Sequence, residues 1–194
     1  LLRSRSLVSS PDVYDVITSL FRLRYDYDFP SAALTLSASD SYDPSLYYMH
    51  ADPVNLRADI DHAVLSSSED IVISEEEATT LLEVLNQHFS EVGLRFFCLN
   101  EKQWFVASKK DIRLNTTPLH AAIARNVNFL LPQGEDSAVW KTLLTEAQML
   151  LHAHEINTKR EAEGKQSINS LWFHGAGRLP IENSSSVDSI CSNS

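Results

Sequence analysis

Two groups of residues in this chain have types and spacing that could do chemistry. In the first, Arg57, Asp59 and Asp61 alternate with Leu56, Ala58 and Ile60, and Asp52 and His62 lie close by. Alternation along an extended strand places the three charged side chains on one face. A guanidinium held between carboxylates presents a fixed fork that suits a phosphate or a carboxylate. The competing reading is a surface charge ladder of small energetic value. The second group runs from Asn157, Lys159 and Arg160 through Lys165 and Asn169 to Gly175-Ala176-Gly177. Lys159, Arg160, Lys165 and Arg178 outnumber Glu161 and Glu163 there, in a chain whose net charge is −10. A strand end running into two glycines lets backbone amides approach an anion closely. Most such glycine pairs only make a turn.

Other chemistry is harder to place. His152 and His154 lie in a segment read as helix, where residues two apart point about 200° from each other and cannot chelate one ion. Cys98 and Cys191 are far apart and lack a CxxC, so they make no zinc site. Ser, His and Asp are too numerous for spacing to single out a nucleophilic triad. No metal-ligand set is therefore expected.

The elements that must position these residues follow from periodicity. Pro11–Leu23 carries Val13, Val16, Ile17, Leu20 and Phe21 at helical spacing. Tyr25–Pro44 reads as loop, with Pro30–Leu36 ambiguous. Leu46–His50 reads as a strand, Leu56–Leu65 as a half-buried strand, and Asp70–Ile73 as a shorter one. Ser74-Glu75-Glu76-Glu77 is a capping box opening a helix whose buried stripe is Leu81, Leu82, Leu85, Phe89 and Val92, stopped by Gly93. Leu94–Leu99 and Gln103–Ser108 form a hairpin. A helix is expected from Pro118 to about Leu130, the longest helix from Ser137 to about Glu163, and a last strand over Ile168–Phe173. Strands adjacent in sequence with helices between them predict an α+β fold, a mainly antiparallel sheet covered by helices.

Length and composition bound the class. At 194 residues and 43% hydrophobic, the chain can build one domain with a real core. No apolar run reaches the roughly 18 residues of a membrane span, and Leu1–Ser10 has no signal-peptide core. Two cysteines make no disulfide framework, which fits a cytoplasmic protein. The acidic balance argues against a nucleic-acid or anionic-membrane partner. Leu1 is not an initiating Met, which suggests a fragment or a processed chain.

Three stretches carry a family resemblance. They are Ala51-Asp52-Pro53-Val54-Asn55-Leu56-Arg57-Ala58-Asp59; Leu131-Pro132-Gln133-Gly134 with Trp140 and Glu146–Leu150; and Asn157-Thr158-Lys159-Arg160-Glu161 with the block Asn169–Pro180. Together, over about Tyr47–Pro180, they resemble bacterial RpfE-type regulatory proteins. More distantly, they are similar to archaeal-type, cofactor-independent phosphoglycerate mutases of the alkaline-phosphatase superfamily. The resemblance implies a lobe with two metals, Asp and His ligands and a serine nucleophile, joined to a second lobe that grips the phosphoglycerate. It falls on the second lobe. The Asp-Gly pair that opens the family's metal site does not occur in this sequence, and His174 stands where the family block has its second tryptophan.

The resulting expectation is a mutase-like module at residues 46–182. Residues 1–45 are an N-terminal helix and loop, a remnant of a first lobe, and 183–194 a disordered tail. Its function is to bind a phosphorylated or carboxylated metabolite, in a regulatory rather than catalytic role and without a cofactor. Arg57, Asp59, Asn157, Arg160, Asn169, Gly175 and Gly177 form the anion site, with Arg57 and Arg160 on one cleft. The alternative is a metal-dependent phosphoglycerate mutase or phosphatase-like enzyme with two Mn²⁺ or Zn²⁺. A purely structural, oligomerising role is the third reading.

Overall fold

The computed structural model describes Tyr25 and residues 27–58, 63–66 and 71–179. The expected N-terminal helix, the polar tail and Asp59 lie outside these residues. Asp26–Leu179 form one compact unit, and everything below concerns it.

Eleven named elements make up the unit: α1 (Ser31–Leu36), β1 (Tyr47–Val54), β2 (Leu56–Ala58), β3 (Ala63–Leu65), α2 (Glu75–Phe89), β4 (Leu94–Asn100), β5 (Gln103–Ser108), α3 (Leu119–Ala122), α4 (Ser137–His152), α5 (Glu155–Ala162) and β6 (Ser170–Gly177). A four-stranded sheet has the order β4-β5-β1-β6, and every neighbouring pair is antiparallel. The α+β expectation, a mainly antiparallel sheet covered by helices, is met. Among the described residues no helix is long and apolar enough to cross a membrane.

The capping box opens α2 as its spacing requires. The Glu77 amide donates to Ser74 Oγ at 3.2 Å and the Ser74 amide to Glu77 Oε2 at 2.9 Å. Leu81, Leu85 and Phe89 then face the sheet with Ala78 and Leu82, whereas Val92, expected in the same stripe, is exposed in the 3-10 turn that follows the helix, and Gly93 ends the run at φ +80. Each such large apolar side chain contributes about 1.5–3 kcal/mol by leaving water. Asn86 on α2 also pairs with the outer edge of the sheet, its amide bonding both the N–H and the C=O of Phe96 in β4. That contact covers an edge strand's free backbone groups.

Alternation divides the side chains of β1 and β6 between two faces. Met49, Ala51, Leu171 and Phe173 enter the main core with α2 and with Trp140, Leu144, Ala147 and Leu151 of α4. Tyr48, on the other face, packs with Phe105 under Ala32, Ala33 and Leu36 of α1. Further along that face Val54 and Trp172 meet Leu65, Ala122 and Val127. His50, Asp52 and His174 lie on this second face by the same alternation.

Four expected elements come out differently. The long helix breaks at Ala153, because His154 becomes the N-cap of α5 and its Nδ1 accepts from the Ile156 amide at 3.2 Å. The helix from Pro118 stops after one turn: Ile123 turns extended and bridges Leu65, and Ala124, at φ +58, donates to the Leu65 carbonyl. Leu56–Leu65 is two short strands paired antiparallel, and Ile71–Ile73 is not a strand. Pro30–Leu36, ambiguous by pattern, contains helix α1.

Candidate functional site

The sheet register gathers a polar cluster on its second face. His50 in β1 stands directly opposite His174 in β6, and Asp52 opposite Trp172. Asp52 is thus the diagonal neighbour of His174 on the same face, a distance that polar side chains bridge easily. The His174 Nε2 lies 2.8 Å from Asp52 Oδ2, with both residues buried. The His50 and His174 rings stack with centroids 4.4 Å apart and planes 13° from parallel. His50 also leans on Phe105 at 4.9 Å. His174 Nδ1 is buried and has no hydrogen-bond partner.

Further polar groups flank the cluster. Asp28 Oδ2 accepts from the Thr116 hydroxyl and from the Ala176 amide, and the Gly175 amide donates to Thr116 Oγ1 at 2.8 Å. Ser31 Oγ is buried without a partner. Gly175, at φ +67, lies so close that a Cβ there would fall 1.9 Å from that hydroxyl and 3.3 Å from the His50 ring.

Burial governs the charge states. It pushes the His50 imidazole down to about 4, with His174 adding to the effect and Asp52 and a hydrogen bond to the Ser31 backbone opposing it. Burial likewise raises the Asp28 carboxyl, against the Thr116 hydroxyl and the Ala176 and Phe29 amides. His50 is therefore a neutral imidazole at pH 7, with a lone pair on one nitrogen. Two imidazoles beside a carboxylate can pass a proton or hold a metal ion.

The anion site expected from the sequence is not assembled. Arg57 is exposed and lines a cleft of about 470 Å³ with Asn55, Leu56, His152, Glu161, Gln166, Ser167 and Asn169. Arg160 does not reach that cleft. Its side chain is 2% exposed, and its Nη1 lies 2.9 Å from both Glu77 carboxylate oxygens. Nε donates to the Gln166 carbonyl at 2.7 Å and Nη1 to the Val72 carbonyl at 3.0 Å. A guanidinium so engaged has little left for a ligand.

Asn157 is committed in the same way. It donates to the Leu151 and Ile168 carbonyls and accepts from the Ile168 amide, closing the break between α4 and α5. Asn169 lines the cleft but spends its amide on the N–H and C=O of Leu56. The Gly175–Gly177 segment is not an anion-binding turn, since β6 continues to Gly177 and Thr116 takes the Gly175 amide. Gly177 instead admits Pro30, which would lie 2.9 Å from a Cβ at that position.

Sequence reasoning missed the His50, Asp52 and His174 grouping, and with it Asp28, Ser31 and Thr116. One signal was available. His50 and Asp52 are two apart in a segment read partly as strand, which puts them on one face. Nothing in the sequence pairs that strand with the one carrying His174.

Comparisons with known proteins agree with the fold. A family model described as 2,3-bisphosphoglycerate-independent phosphoglycerate mutase matches residues 42–157. The phosphoglycerate mutase of that description from Methanosarcina mazei is 27% identical over 158 residues, 72% of this chain and 40% of the relative. A second such mutase from Methanothermobacter thermautotrophicus is 27% identical over 157 residues, 72% of this chain and 39% of the relative. The chain thus spans about two fifths of the length of these archaeal relatives. Among solved structures, a cofactor-independent phosphoglycerate mutase from Thermoplasma acidophilum superposes with a TM-score of 0.52 at 17% identity, covering 78% of this chain and 47% of that one. A Pyrococcus horikoshii protein gives 0.53 at 16% identity, covering 89% and 39%. At such identities the likeness is one of fold.

Proposed function

For a chain that belongs to the 2,3-bisphosphoglycerate-independent phosphoglycerate mutase family, we propose a module that binds a small hydroxylated anion, a phosphorylated or carboxylated metabolite, in the cleft beside Arg57. The observation that carries this reading is the pairing of two unused groups on one cleft. Arg57 offers an exposed guanidinium, and Gln166 a buried Oε1 with no partner. An anion takes the guanidinium through charge-assisted bonds. Turning the Gln166 side chain into the cleft lets a hydroxyl on the same ligand satisfy the amide oxygen, which otherwise stays desolvated at a cost of about 1–3 kcal/mol. Ser167 and His152 add donors at the rim. Glu161 opposes the anion and restrains its affinity. A regulatory use of this binding accords with the resemblance to RpfE-type proteins.

Calorimetry with 3-phosphoglycerate and with inorganic phosphate tests the reading. Wild-type protein is expected to bind 3-phosphoglycerate more tightly than phosphate, because only the former carries an alcohol hydroxyl set apart from the anionic group that Arg57 takes. Arg57→Ala should weaken binding about tenfold to a hundredfold, the equivalent of one charge-assisted bond, while Glu161→Gln should strengthen it. Failure of both compounds to bind at millimolar concentration, or an Arg57→Ala variant that binds as wild type, removes the proposal. Phosphoglycerate interconversion above a heat-killed control, in an enolase-coupled assay, would favour the enzymatic reading.

A further inference from the structure

We infer that His50, Asp52 and His174 form a binding site for one divalent transition-metal ion. One ligand atom from each lies within 4.8 Å of the other two, a grouping that the sheet itself fixes. Bonds of about 2.0–2.2 Å to a tetrahedral ion set two donors roughly 3.3 Å apart. The 2.8 Å between His174 Nε2 and Asp52 Oδ2 is already near that bite. Closing on an ion needs the two stacked rings to turn so that their in-plane lone pairs converge, a side-chain rearrangement about χ1 and χ2.

The donor set selects the class of ion. Two imidazole nitrogens and one carboxylate suit zinc, iron, cobalt or nickel, whereas calcium and magnesium prefer all-oxygen sites. The surroundings are those of a ligand set with outer support. His50 is held in place by its ring contacts with Phe105 and His174. The hydrogen bonding of His174 is incomplete as it stands, with Nδ1 buried and unpartnered. Ser31 Oγ, equally unpartnered, lies near the His50 ring across Gly175. A buried Asp–His pair kept only for packing leaves the two unused polar atoms unexplained.

The test is titration of the chelator-treated full chain with Zn²⁺ by calorimetry and with Co²⁺ by visible absorption. One equivalent of Zn²⁺ should bind, and Co²⁺ should develop ligand-field bands that Zn²⁺ abolishes. Asp52→Asn and His174→Gln should each weaken Zn²⁺ binding by more than the 10–100-fold that loss of an outer partner costs. His50→Gln, which leaves the Asp52–His174 bond intact, should do the same with unaltered circular dichroism. His120→Ala, at an exposed histidine elsewhere, should bind as wild type. Wild-type protein that takes up neither ion stoichiometrically overturns the inference. So does a folded His50→Gln variant that binds Zn²⁺ as tightly as wild type.

Discussion

Arg160 is the residue for which sequence and structure give opposite predictions, and its replacement is the sharpest check on the fold. As an anion ligand it would tolerate substitution without loss of stability. In the structure it is a buried tie between α5, the Glu77 carboxylate and two backbone carbonyls. Arg160→Met keeps much of the side-chain volume and removes the charge and all donors. Breaking a buried ion pair by deleting one partner costs about 3–5 kcal/mol, because the other is left uncompensated. Here the Glu77 side chain is 19% exposed, so water recovers part of that loss. The Gln166 and Val72 carbonyls lose their guanidinium donor as well. The expected cost of Arg160→Met is therefore about 3–4 kcal/mol.

Arg160→Lys keeps the charge but loses the planar fork, so it should cost about 1–3 kcal/mol. Glu77→Gln keeps an acceptor for the Ser74 amide and so spares the cap, while discharging the pair. The Arg160→Met and Glu77→Gln cycle should give a coupling of about 1–3 kcal/mol. Urea unfolding followed by the fluorescence of buried Trp104, Trp140 and Trp172 measures wild type, Arg160→Lys and the three variants of the cycle. An Arg160→Met variant within about 0.5 kcal/mol of wild type, the range of ordinary surface substitutions, would refute this account.

Three further outcomes follow from particular contacts. Phe89, 1% exposed at the end of the α2 stripe, should cost about 3–5 kcal/mol when replaced by Ala, read from the same urea transitions. Gly175→Ala should lower the melting temperature sharply, through its positive φ and the clash with Ser31 Oγ, and adding Ser31→Ala should restore part of the loss. Glu77 titrates below its ordinary value: burial pushes it up, but the Ser74 amide and the Arg160 guanidinium outweigh that. A carboxylate with a depressed folded pKa gives stability that is complete above its unfolded value, 4.5, and is lost as pH falls through the folded value. Stability measured by urea from pH 6 to pH 3 should therefore fall less steeply below 4.5 in Glu77→Gln than in wild type, and an equal slope would contradict the pair.

What the sequence determined by itself is local. The capping box at Ser74–Glu77, the stripe from Leu81 to Phe89, the Gly93 stop and the Gln103–Ser108 hairpin arm are written in residues a few positions apart, and short-range sterics and periodicity enforce them. The family block around Asn157 and Arg160 was legible as a pattern, but its meaning was not. Only the fold brings Glu77 and Val72 to Arg160, more than eighty residues away in sequence, and so turns an apparent ligand into a buried strut. The break at Ala153 was decided in the same way, by side-chain bonds from Asn157 and His154 that compete with continued helix. The cluster of His50, Asp52 and His174 exists because β1 pairs with β6 in one register. A slip by a single residue would send these side chains to the opposite face. Strand pairing across some 120 residues of chain depends on the packing of the whole sheet, and no local pattern encodes it.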